Sequence, residues 1–150
     1  MIGISDRKEC SLLLENFGDL AYSRGLIRKS TSLRELSYRL YAQASGWRQP
    51  GEAHTYVLKR KEGEILRLLK KRSLAREDFR IALENSDLMP FEEQIRLRHA
   101  CAVLEYRSAP DHEMSNPVTK ALIDTAKGHL QIAHELILAY SGQIPKQDLV

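Results

Sequence analysis

The sequence predicts an all-α protein, a compact bundle of five or six helices forming one domain over residues 1–150. Two observations predict it. Apolar residues recur at three- and four-residue intervals along most of the chain, and capping residues, glycines and prolines fall where those patterns begin and end. A chain of 150 residues buries roughly 70% of its unfolded surface, enough for one core. There is no internal repeat and no low-complexity tract.

The first helix is expected from Ser5, as N-cap, to about Ser23, with Gly25 as its stop. Cys10, Leu13, Leu14, Phe17, Leu20 and Ala21 share one face, which should meet the core. Ser32-Leu33-Arg34-Glu35 has the form of a capping box opening a second helix that ends at Gly46. Its inner stripe is Leu33, Leu36, Leu40 and Ala44, with Tyr41 at the edge. Trp47 to Gly51 is a turn, and Pro50 suits the first position of a third helix reaching about Arg72. Residues 55–61 alternate roughly as a strand would; helix is the preferred reading.

Ser73 is a candidate cap for a helix to about Asn85, and the turn at 86–90 leads into a fifth helix to Ser108. Its run Ala100-Cys101-Ala102-Val103-Leu104 is apolar all round and should be deeply buried. Asn116 and Pro117 open the last helix, which continues to Tyr140. Ile123, Ala126, Leu130, Ala133, Ile137 and Tyr140 form its seam, suited to packing inside the bundle or, alternatively, to a coiled-coil homodimer. The fifth and last helices are therefore expected at the centre.

Composition narrows the function classes. The chain is 43% hydrophobic and 29% charged, and no stretch approaches the ~20 apolar residues of a membrane span. No membrane partner is expected. The N-terminal residues lack the hydrophobic run of an export signal, and two isolated cysteines, Cys10 and Cys101, read as reduced core thiols. A cytoplasmic protein is expected. Charge is segregated: residues 24–80 hold 15 Lys and Arg against 6 Asp and Glu, while residues 81–150 hold 6 against 10. Such a middle segment calls for an acidic partner, nucleic acid or protein, or for pairing within the molecule.

The candidate nucleic-acid contacts are Lys59, Arg60, Lys61, Arg67, Lys70, Lys71, Arg72, Arg76 and Arg80. Residues 65–85 have the outline of a helix-turn-helix, but the turn lacks glycine and Glu77, Asp78 and Glu84 would repel phosphates, so a plain helical hairpin is preferred. Trp47 and Arg48 are the candidate protein-binding pair, an aromatic anchor in a loop.

Neither metal nor cofactor is expected. His134-Glu135 begins a His-Glu-x-x-His motif that Leu138 breaks, and His129, five residues before His134, lies on another face. The spacing of Arg107 and His112 resembles the Arg-x4-His pair of HEPN-type ribonucleases, which are helical bundles too, and implies a ribonuclease as the remote alternative. Pro110 breaks the segment and no second base stands nearby, so the preferred reading is a non-enzymatic binding or regulatory protein. It engages an acidic partner, nucleic acid first, through the basic segment; the alternative is a protein–protein adaptor, chaperone or inhibitor.

Overall fold

Apolar spacing becomes helix throughout. The computed structural model describes residues 3–109 and 116–143, and these form α1 (Ile4–Arg28), α2 (Thr31–Gly46), α3 (Ala53–Leu68), α4 (Arg72–Glu84), a 3-10 turn (Ser86–Leu88), α5 (Phe91–Ser108) and α6 (Pro117–Gln143). The described residues are all-α, with six α-helices where the periodicity places them, and residues 55–61 are helical. The chain divides into two compact units, Met1–Leu88 and Met89–Val150.

In the first unit α1 to α4 pack in chain order, each antiparallel to the one before because the connections are short. Their core holds Tyr41, Ala44, Leu58 and Ile65, with Leu14, Tyr22, Tyr38 and Leu69 against it. Phe79 of α4 packs closely on Gly63 of α3, where a Cβ would fall 2.7 Å from Phe79 Cδ1 and closer still to Cε1.

Several helix ends differ from expectation. Gly25 does not stop α1: a Cβ there would meet Arg34 Cγ at 3.2 Å, so glycine serves close packing on α2. The helix ends at Lys29, held left-handed at φ 52°, with Ser30 N–H donating to Gly25 O at 3.0 Å. Ser30, not Ser32, caps α2, its Oγ accepting from Leu33 N–H at 3.2 Å. The Ser32 capping box is therefore unused. Glu52 rather than Pro50 precedes α3, and Lys71 rather than Ser73 precedes α4. Lys70 breaks the predicted third helix by turning left-handed at φ 62°.

The second unit is a hairpin of α5 and α6. Leu97, Ala100, Cys101, Ala102 and Leu104 are buried on α5, as the apolar run predicts. Asn116 Oδ1 accepts from Val118 N–H at 2.9 Å, the expected cap on α6. Tyr140 leans on Phe91 with ring centroids 6.3 Å apart and donates to Glu92 at 2.8 Å. The α6 seam is more open than predicted: Ala126 and Ala133 are buried while Leu130 and Ile137 are exposed. Small residues went inward because they let the helices approach closely.

Candidate interaction surfaces

The basic middle segment is not one surface. Lys59 pairs with Glu62 at 3.2 Å, and Arg60, only 7% exposed, pairs with Glu64 at 2.7 Å. Lys61 points back to α1, 2.7 Å from Glu15 and 2.9 Å from Asp19, and lies over the Tyr41 ring. Arg80 is clamped between Glu77, at 2.6 Å, and Glu84. All four cations are paired with carboxylates of the same molecule. Arg67 is half-buried; Lys70, Lys71, Arg72 and Arg76 are exposed at and after the turn joining α3 to α4. Because α1 and α3 run parallel, that turn lies at the same end of the unit as Arg28 and Lys29. This end, made by two turns, is where exposed positive charge gathers.

Lys61 belongs to a polar belt that fastens α1 to its neighbours. Ser11 Oγ donates to Ala44 O at 2.8 Å and accepts from Arg48 Nε at 2.8 Å; Ser37 Oγ donates to Gly18 O at 2.8 Å. Tyr41 donates to Asp19 at 2.5 Å, and His54 Nε2 lies 2.6 Å from Glu15. Burial alone would raise the Glu15 pKa, but hydrogen bonds and charge from His54 and Lys61 outweigh it and hold it at about 2. The inward face of α1 is thus Ser11, Glu15, Gly18, Ala21 and Gly25, small or polar residues that let α2 come close. A Cβ on Gly18 would sit 2.7 Å from the Tyr41 ring.

This rotates α1 from the sequence expectation: of the expected inward face Leu14 and Ala21 do meet the core, while Leu13, Phe17 and Leu20 do not. Its apolar ridge faces solvent: Leu13 is 57% exposed, Phe17 52%, Leu20 52% and Ile27 82%. The predicted inner stripe of α2 is displaced too, with Ser37, Tyr41 and Ala44 buried and Leu36 exposed. Between the two helices a groove of about 570 Å³ is lined by Cys10, Leu13, Leu14, Gln43, Gly46 and Trp47. Trp47 is half-buried there and joins the apolar face. Arg48 does not; its side chain is spent on Ser11 and on Glu52, 3.4 Å away. Cys10 is partly buried and Cys101 buried, and neither is joined in a disulfide.

In the second unit a cleft of about 410 Å³ between α5 and α6 has an apolar floor including Ala102, Ile123 and Ala126, and His99, Arg107 and Lys127 at its rim. Arg107 is exposed on α5; His112, its partner in the ribonuclease resemblance, lies outside the described residues. Arg98 donates to His129 at 3.1 Å, and burial with this cation lowers the His129 pKa. Among the described residues no helix is long and apolar enough to cross a membrane.

Comparison with known proteins finds no matching family model, no similar curated protein and no similar solved structure. The surfaces above therefore stand on their own chemistry. A signal for the α1 orientation was present in the residues. Ser11, Gly18 and Gly25 repeat at intervals of seven, small residues on one line, opposite the apolar line of Leu13, Phe17, Leu20 and Ile27. Both lines have helical spacing, and hydrophobicity alone selects the wrong one.

Proposed function

We propose that this protein works by binding another protein, and that the apolar face of α1 and α2 is its contact surface. One observation carries the reading: α1 buries small and polar residues and leaves Leu13, Phe17, Leu20 and Ile27 in water. A contiguous exposed apolar patch on a globular protein marks a surface kept for a partner. The Trp47 groove runs into this patch and offers an aromatic anchor beside it. The best-assembled titratable groups, Glu15, His54, Lys61 and Asp19, are spent on holding α1, which favours binding over catalysis.

The test is the double variant Phe17→Glu, Leu20→Glu, melted at about 1 μM. A face kept for a partner tolerates both charges, with stability unchanged within roughly 0.5 kcal/mol per site, as for other surface substitutions. A loss of several kcal/mol would make the ridge part of the core and end the reading.

A second reading, polyanion binding, is favoured by the lysines at the basic end. Lys29 and Lys70 both occupy left-handed helix-terminating positions, at φ 52° and 62°, where glycine would cost roughly 1–2 kcal/mol less. Keeping lysine there adds charge beside Arg28 and Lys71, a fit for phosphates. Single-stranded RNA should bind with steep salt dependence, and the variant Lys29→Gly, Lys70→Gly should be more stable yet bind more weakly. RNA that fails to bind at low salt excludes this reading.

A further inference from the structure

We infer that the cleft between α5 and α6 binds a medium-chain fatty acid, with its alkyl chain along the alanine floor and its carboxylate between Lys127 and Arg107. The cleft holds about 410 Å³, within the range of small-molecule sites, about 300–1,000 Å³. Each helix gives one face at helical spacing, positions 99 to 107 of α5 and 123 to 130 of α6. Ala102 and Ala126 are buried at the bottom, while Tyr106 and Leu130 stand about half exposed on the two sides. Packing of the hairpin leaves this apolar surface in water, and an alkyl chain laid along it removes it from water.

The cleft is elongated. Helices α5 and α6 run antiparallel, since Arg98 meets His129 at one level and Glu92 meets Tyr140 further along. His99 therefore stands by Leu130 at one end and Arg107 by Ile123 at the other, eight residues apart. That separation is about 12 Å along the helix. An extended eight-carbon carboxylate is about 10 Å long, from C–C bonds of about 1.5 Å, and matches this length.

Charge selects the head group. Residues 81–150 hold 6 Lys and Arg against 10 Asp and Glu, yet among the described residues no carboxylate lines the cleft, and His99, Arg107 and Lys127 do. A basic rim in an acidic segment attracts an anion and repels a cation. Each Cα–Cβ bond of a helix tilts toward that helix's N-terminus, so on antiparallel helices Lys127 and Arg107 lean toward each other along the cleft. A carboxylate between them accepts hydrogen bonds from both. Its chain then runs over Ala102 toward Leu130.

Isothermal titration calorimetry of the full chain with sodium octanoate and with octyltrimethylammonium tests the inference, and backbone amide NMR shifts locate the ligand. Octanoate should bind one to one with a Kd below about 1 mM, a modest efficiency for about ten non-hydrogen atoms. Its shifts should concentrate on residues 99–107 and 123–130. Each CH2 removed from the chain should weaken binding about fourfold. Octyltrimethylammonium, with the same chain and the opposite charge, should bind roughly tenfold more weakly. Lys127→Glu, at an exposed position, should weaken octanoate about fivefold and strengthen octyltrimethylammonium.

Val103→Trp fills the cleft and should abolish octanoate binding while the far-ultraviolet circular dichroism stays that of the parent. Where that variant unfolds, Lys127→Glu combined with Arg107→Gln decides by the reversal of charge preference. Octanoate and octyltrimethylammonium bound equally, or no saturation with octanoate by about 10 mM, overturns the inference. The exposed ridge of α1 is the competing place for an alkyl chain. Octanoate binding that survives Lys127→Glu unchanged and disappears in the Phe17→Glu, Leu20→Glu variant places the chain there and overturns the cleft as its site.

Discussion

Replacing Glu15 by glutamine removes the charge at the centre of the belt that fastens α1. Glu15 is 3% exposed, touches His54 at 2.6 Å and Lys61 at 2.7 Å, and has a pKa of about 2 against an ordinary 4.5. A depressed carboxylate pKa contributes stability that is present above the unfolded value and is lost as pH falls towards the folded one. A shift of about two and a half units corresponds to roughly 3 kcal/mol, of which about 2 kcal/mol is gone by pH 3. Urea denaturation followed by far-ultraviolet circular dichroism at pH 7 and pH 3 reads this directly. Glu15→Gln should be less stable than the parent by about 3 kcal/mol at pH 7 and by about 1 kcal/mol at pH 3. Glu62 and Asp78 act in the opposite sense, because burial raises both pKa values and acid relieves their cost. They are common to both proteins, so the difference isolates Glu15. Two stabilities that fall in parallel between pH 7 and pH 3 would refute the coupling of Glu15 to His54 and Lys61.

The glycines supply a second set of outcomes. Gly18→Ala and Gly63→Ala push a methyl group into the Tyr41 and Phe79 rings respectively, and each should cost about 1–3 kcal/mol by overpacking, read from the denaturation midpoint. Gly128→Ala, inside α6 with nothing within 4 Å of the new Cβ, should instead stabilise by roughly 0.5–1 kcal/mol. A stable Gly18→Ala would mean that α1 does not approach α2 as closely as described.

What was legible in the residues divides along a physical line. Helix existence and the Asn116 cap were readable because both depend on neighbours a few residues apart. So were, in principle, the pairs Lys59–Glu62, Arg60–Glu64 and Arg80–Glu84, whose spacings of three and four put opposite charges on one helix face. Counting charge over the segment hid them. Lys61 could not be read that way, since its partners Glu15 and Asp19 lie more than forty residues away. The orientation of α1 failed for another reason. Ser11, Gly18 and Gly25 contribute by what they lack, and a hydrophobicity scale assigns no value to a backbone that comes close. Trp47 and Arg48 are neighbours with opposite fates, one on the apolar face and the other committed to Ser11.

The attachment of α1 through hydroxyls, carboxylates and glycines, with Leu14, Ala21 and Tyr22 beside them, uses a different side of the helix from its outward positions. Leu13, Phe17, Leu20 and Ile27 can therefore be rewritten as a set without repacking the interior behind them. The first unit is in effect a mount for a long display helix, held at a fixed angle and rotation by groups that accept only one fit. Grafting a foreign recognition stripe onto those four positions would change what the molecule meets while leaving how it folds to the other side of the same helix.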